Sequence, residues 1–376
     1  MTAPLPRQSA LNDRHRALGS DLSQSWNSMP IPQFYATDPY VETTVTRSAA
    51  GLIEVTALQL INLTGPGATD LRNYMLTSDI AKMKPGQSHI SNIVNEQGAL
   101  IDDVLIYCNA PNDYRISHGS GSLEEVLASL APKYDVTWAK DDDTHVLSLQ
   151  GPKALDILKP HTPFPLATLK YFEHTPTTLF GKPVTLARGG YSAERGYEVF
   201  CTRADAVFFW DAILDAGKPF GIMPVSWTCL DIVRVEGSLL FFPFDMTHGD
   251  TTPWEVKAGW TIDLSKPDFI GKAALVASQG KERSVITGLE VWSSDAVTPL
   301  AKVLVGTKEV GMITSTVYSQ HLMKSLAMAQ IEKPYTALGT AVEIADGDKV
   351  LKATVVQMPF YDPMRLRTHP LAERTA

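Results

Sequence analysis

The chain has 376 residues, of which 44% are hydrophobic and 20% charged, enough apolar material for two or three packed domains. A net charge of −8 with no dense Lys/Arg run argues against a nucleic-acid partner, and no apolar window has the length of a membrane span. Three widely spaced cysteines and nine scattered histidines, with no CxxC or HExxH spacing, argue against a disulfide framework and against a bound metal. Together with an N-terminus that lacks the apolar core of a signal peptide, they lead to the expectation of a cytoplasmic protein with reduced thiols.

The first thirty or so residues are polar and irregular, and read as a lead-in lying on the surface. Asp38-Pro39 is an N-cap followed by proline at the first helical position, predicting a short helix that ends at Gly51. An internal echo follows. LINLTGPGATDL (residues 60–71) and LSLQGPKALDIL (residues 147–158) each combine apolar alternation, a Gly-Pro pair and a helix-like stretch, the pattern of strand, tight turn and helix. Repeated once at long spacing, it predicts two related α+β units rather than a solenoid.

After the first copy, residues 86–94 and 99–108 read as a hairpin joined by an Asn-Glu-Gln-Gly turn. Its second strand, ALIDDVLIY, carries Asp102 and Asp103 among apolar residues, where an unpartnered carboxylate is costly. Successive strand residues face opposite ways, so the two aspartates do not form an acid/base dyad. Asp102 is expected to need only water or a hydrogen bond. After the second copy, PVTLARGGY and GYEVFCT read as strands around SAER. Residues 204–216 then form an amphipathic helix with Phe208, Phe209, Ala212 and Ile213 on one face and Gly217 as its stop. The last hundred residues become short alternating strands split by Gly, Lys and Asp turns, the rhythm of a small antiparallel barrel.

Four of these stretches, in register, resemble the glycine-cleavage T-protein family of folate-dependent aminomethyltransferases. They are NEQGALIDDVLIY, RGGYSAERGYEVF, RVEGSLLFFPFDMTHGDTTPWEVKAGWTIDL and PDFIGKAAL. The resemblance implies an α+β fold with three domains in a ring and tetrahydrofolate in a central channel. The expected divisions are residues 1–55 with 140–265, residues 56–139, and a β-domain over 280–376. It implies that Asp103 is the essential acid, that Glu198 binds the pterin, and that Tyr191, Ile90 and Arg188 line the folate. Independently, a carboxylate can accept from the adjacent N–H and amino donors of a pterin, and a positioned carboxylate can stabilise the cation that develops as a carbon reaches folate N5.

The chain departs from that pattern where Ile90 and Leu239 take the places of family tyrosines, Leu230 that of an arginine, and Glu54-Val55-Thr56-Ala57 that of an Asp-Val-Ser-His stretch. These departures weaken the case for transfer from a lipoyl-bound aminomethyl group, so no carrier protein is expected. The DMTHGDTTPWE wording is more similar to the folate-dependent demethylases, in which a methyl group on a small S-, O- or N-methyl donor passes to folate N5. An aminomethyltransferase and a non-catalytic folate-binding protein are the alternatives. A donor that needs protonation would need an acid, for which His89, His118 and His248 are candidates, although His118 and His248 read first as ordinary structural histidines. Arg234 and Glu236 read as a pair holding their helix, and Trp254 and Trp260 as candidate donor-pocket walls. The chain is expected to act as a monomer or homodimer.

Overall fold

The computed structural model describes residues 7–246 and 248–370. Its first sheet has six strands in the order His174–Leu179, Lys182–Arg188, Gly196–Thr202, Thr144–Gln150, Gly51–Glu54 and Met223–Pro224, antiparallel except at the last pair. The second has five antiparallel strands, in the order Ser88–Val94, Leu100–Ala110, Asp113–His118, Gln59–Thr64 and Thr137–Asp141. The third is a closed barrel of Ser284–Val291, Lys324–Glu332, Lys308–Ser319, Lys302–Val305, Ala341–Asp346 and Lys349–Val356.

The echo in the sequence is real in three dimensions. Strands Gln59–Thr64 and Thr144–Gln150 each run through Gly-Pro into a helix, Ala68–Met75 and Ala154–Leu158. Gly65 and Gly151 both have left-handed backbone (φ 123° and 135°), and a Cβ there would lie 2.5 Å and 2.6 Å from the carbonyl oxygens of Asp135 and Ala49. Only glycine turns the chain that tightly against another backbone. Each sheet then buries its helices over its own core: Leu52, Leu147, Tyr197, Phe209 and Trp210 in the first, Ile61, Leu71, Ile93, Ile106 and Leu127 in the second.

Three expectations need correction. The N-terminal lead-in is not a surface strap. It forms the helix Asn12–Ala17 and a hairpin of Gln24–Trp26 with Met29–Ile31, and Leu11 and His15 are fully buried. The cause lies elsewhere in the chain: His15 Nε2 meets Glu54 at 2.7 Å and its Nδ1 meets the Tyr35 hydroxyl at 2.8 Å. The helix capped by Asp38 spans Pro39–Ser48, and Gly51 begins the next strand rather than stopping the helix, because a Cβ there would strike Thr46 Oγ1 at 2.4 Å. In the helix Ala206–Gly217, Phe208 is exposed, and Phe209, Trp210 and Ile213 form the buried face; the left-handed stop is Gly221, after a further turn.

Buried charges tie the domain of the six-stranded sheet to the barrel and the C-terminal segment. Arg47 pairs with Glu236 (2.7 Å) and Glu194 (3.1 Å), Glu194 also accepts from Tyr361 and Arg367, and Glu236 accepts from Ser319 on the barrel. Arg234 pairs with Asp231 and Asp245, not with Glu236, and Asp245 accepts from Thr314 and Ser315 of the barrel. Arg234 and Glu236 are therefore two separate ties between the helix Trp227–Glu236 and its surroundings.

Candidate functional site

A cavity of about 520 Å³ opens where the two sheets and the barrel meet. The hairpin built on the Asn-Glu-Gln-Gly turn supplies one wall. Asn95 Oδ1 accepts from the backbone N–H groups of Gln97 and Ala99, and Gly98 takes φ 79°, so the turn chemistry is local and tight. Strand register then places Asn92 opposite Asp103 and Ile93 opposite Asp102. Period-two alternation brings Ile90 and Asn92 from one strand, and Asp103, Leu105 and Tyr107 from the other, to the cavity.

Asp103 sits in that wall with its proton affinity raised to about 7, first by burial and second by the charge of Asp102. Glu198, on the six-stranded sheet, lines the same cavity. Its Oε2 accepts from the Tyr107 hydroxyl at 3.2 Å, and burial raises its pKa against the opposing effect of that hydrogen bond. Tyr107 is itself fixed by edge contacts with Phe200 and His174.

The other expected residues divide between the cavity and elsewhere. Tyr191 lines the cavity and its hydroxyl donates to the Leu240 carbonyl. Arg188 lines it too, with Nη1 and Nη2 donating to the carbonyls of Leu169 and Thr368. Leu230 and Leu239 are in the wall, and Trp260 lies at the rim, 65% exposed. Trp254 is not in the wall; its indole N–H is used on the Leu275 carbonyl. His89 alternates away from the cavity, within 3.2 Å of Ser78 Oγ, and burial lowers its pKa. His248 is a correction: it is exposed on a loop outside the cavity wall, where its backbone N–H donates to Thr251.

His118 does line the cavity, and Asp102 is more than a solvated residue. Asp102 is fully buried, and its Oδ2 accepts from the backbone N–H of Leu123 at 3.0 Å and lies 3.1 Å from His118 Nδ1. The turn Gly119-Ser120-Gly121-Ser122 explains the fit. A Cβ on Gly121 would lie 2.2 Å from the Asp102 carboxyl carbon, so the turn presses directly on that carboxylate. Leu123 begins the helix Leu123–Leu130, whose N-terminal turn favours the negative charge.

Several wall residues escaped the sequence reading. Asn92 and Tyr107 were available from period two counted outward from Ile90 and Asp103. Lys257 and Arg365 reach the wall from irregular segments, both with left-handed backbone, and no sequence period announces them. Among the described residues the wall carries three carboxylates (Asp103, Glu198 and Asp231), one histidine and four cations (Arg188, Arg234, Lys257 and Arg365) among apolar and aromatic side chains. It can bind a flat polar heterocycle and hold or move a proton beside it.

Comparison with known proteins agrees with this architecture. Residues 11–266 match the family model described as the GCVT N-terminal domain, and residues 285–362 match the glycine cleavage T-protein C-terminal barrel domain. The chain is 39% identical over 366 residues to the heme-dependent oxidative N-demethylase gamma subunit of Ectopseudomonas mendocina (strain ymp), covering 95% of this chain and 96% of that one. It is 32% identical to an aminomethyltransferase of Saccharopolyspora erythraea, covering 95% and 98%. The crystal structure of the glycine cleavage aminomethyltransferase T from Bartonella henselae superposes with a TM-score of 0.86 at 23% identity, covering 94% of this chain and 97% of that one, which shows a shared fold. The two matched domains span most of the sequence, and the chain belongs to the glycine-cleavage T-protein family.

Proposed function

We propose that the chain is a tetrahydrofolate-dependent one-carbon transferase of the demethylase kind, whose carbon begins as a methyl group on a small donor. The observation that carries this reading is that Asp103 and Glu198, from two different sheets, line one cavity. Glu198 has a single hydroxyl partner, which leaves acceptor capacity toward the cavity and fits the paired N–H donors of a pterin. Tetrahydrofolate supplies the nucleophilic N5 that receives the carbon. Tyr191, Ile90 and Arg188 would flank it, and Asp103 would orient it and stabilise the cationic charge that develops as the carbon arrives. An affinity for protons near neutrality also lets Asp103 take up or release one within the working range of pH. His118 is the one histidine of the wall among the described residues.

A second reading concerns the oxidation level of the carbon. A relative named as a subunit of an oxidative N-demethylase favours it, because oxidising an N-methyl amine leaves the carbon at the level of formaldehyde, and so do the relatives named aminomethyltransferase. The product would then be 5,10-methylene-tetrahydrofolate rather than 5-methyl-tetrahydrofolate.

The test incubates the protein with tetrahydrofolate and, separately, sulfonium, betaine, aryl ether and methylamine donors and formaldehyde, with mass spectrometry of the folate product. 5-Methyl-tetrahydrofolate supports direct methyl transfer. 5,10-Methylene-tetrahydrofolate formed faster than without protein, and no faster with Asp103→Asn than without protein, supports the second reading. Uncatalysed rates throughout would overturn the assignment as an enzyme and leave a folate-binding protein.

A further inference from the structure

Four non-glycine residues of the cavity wall have left-handed backbone: Phe172 (φ 62°), Ser238 (φ 51°), Lys257 (φ 57°) and Arg365 (φ 53°). Such backbone costs free energy wherever a Cβ is present, and it collects at binding and catalytic sites. Lys257 stands where glycine is most expected. Residues 253–258 close a single turn, in which the N–H of Lys257 donates to the Trp254 carbonyl at 3.2 Å and that of Ala258 to the Pro253 carbonyl at 2.9 Å. This is the pattern that ends a helix on a left-handed residue, a position usually given to glycine. The turn is fixed from both sides, since the Leu100 N–H donates to the Thr251 carbonyl and the Ile286 N–H to the Glu255 carbonyl. The conformation is therefore imposed on whichever residue stands at 257, and a lysine is held there at a cost.

Its side chain also lacks a counter-ion. Of the other cations in the wall, Arg234 is paired with Asp231 and Asp245, and Arg188 donates to the carbonyls of Leu169 and Thr368. The charge of Arg365 acts on Tyr171, as do those of Glu198 and Arg188. Among the described residues the Lys257 amine has no hydrogen bond, ion pair or ring contact, and partial burial alone lowers its proton affinity. The surroundings are apolar: Val256 packs with Leu100 and Ile286, and Phe242, Met246 and Ala258 lie against them. A cation at such a wall has given up hydration without a partner, and an anion in the cavity would restore the balance.

We propose that the Lys257 ammonium is a carboxylate subsite of this cavity, donating to the acid group of a bound ligand. The subsite rests on the reading of the cavity as a place for tetrahydrofolate and a small methyl donor. The carboxylate has two sources there: the glutamate of the folate, or the acid group of an N-methylated amino acid. Lysine suits either, because a compact ammonium on a four-carbon stem reaches one carboxylate oxygen without the fixed fork geometry of arginine. The apolar wall partly desolvates the ion pair and so strengthens it over one at the open surface.

Calorimetry with two matched pairs of probes tests it on the whole chain. The first pair is tetrahydrofolate and 6-methyltetrahydropterin, which lacks the benzoylglutamate. The second is N,N-dimethylglycine and N,N-dimethylethanolamine, which lacks the carboxylate. Lys257→Met should weaken binding of the carboxylated member of one pair by about tenfold and leave its counterpart within about twofold, and Lys257→Arg should recover most of the loss. The pair that responds names the source. Lys257→Gly is the folding control: it should lose the same affinity while melting no lower than wild type, because glycine suits that backbone. Equal losses for both members of each pair, affinities unchanged by Lys257→Met, or a Lys257→Gly protein that melts below wild type would overturn the proposal. If the wild-type chain binds neither tetrahydrofolate nor the pterin, the folate reading fails and the dimethylglycine pair alone decides the subsite; binding of no probe overturns both.

Discussion

Two carboxylate–imidazole pairs occupy different regions of this molecule, and they have opposite characters. In the first sheet, Glu54 meets His15 at 2.7 Å and accepts from Ser9 at 2.6 Å, and the far nitrogen of His15 meets Tyr35. Burial alone would raise the pKa of Glu54, but the His15 and Ser9 hydrogen bonds and the charge of His15 outweigh it and hold the carboxyl below its ordinary value. In the second sheet, Asp102 and His118 make a similar contact at 3.1 Å, yet Asp102 Oδ1 and His118 Nε2 both end without partners, and the neighbouring Asp103 is pushed up toward neutrality. A closed network spends its polar groups on the fold. The second network leaves two buried polar atoms unpaired, a cost that the first avoids.

The sharpest way to break this comparison is to remove a carboxylate from each region. Glu54→Ala strands His15 and Tyr35 in the interior and should cost about 3–5 kcal/mol of stability by chemical denaturation, with turnover per folded molecule unchanged. Asp103→Asn should do the reverse. In the folded chain Asp103 holds its proton up to about 7, against an ordinary value of 3.8. Between those values the folded state binds more protons than the unfolded state, so stability falls as pH rises, and the full penalty is present above about 7. Removing the charge should therefore stabilise the protein by roughly 1–2 kcal/mol at pH 8, with no gain at pH 4. Melting curves at the two pH values measure it, and a variant less stable than wild type at pH 8 would contradict the cost assigned to that carboxylate.

The same contrast shows what a sequence carries. The strand–Gly-Pro–helix echo and the six barrel strands were legible because turn chemistry and period two are local properties. The N-terminal segment was not, because His15 is buried by a strand residue 39 positions later. The face of the helix Ala206–Gly217 was misassigned because Phe208, Phe209 and Trp210 are consecutive and hydrophobicity alone does not rank them. Asp103, Glu198, Tyr191, Ile90, Arg188 and His118 all line one cavity. His248 does not, since an exposed loop histidine and a site histidine look alike in sequence. The partner of Asp102 was hidden for another reason: it depends on which residue of the next strand falls beside Val104, and register is a property of the folded sheet.

The claim that orders all of this is that tetrahydrofolate occupies the cavity with Glu198 on its polar edge. Calorimetric titration of wild-type, Glu198→Ala and Asp103→Asn proteins with tetrahydrofolate tests it directly. The account predicts one site per wild-type chain, an affinity loss of about tenfold or more for Glu198→Ala, and near wild-type affinity for Asp103→Asn. Equal affinities for wild type and Glu198→Ala, or no binding by the wild-type protein, would contradict it.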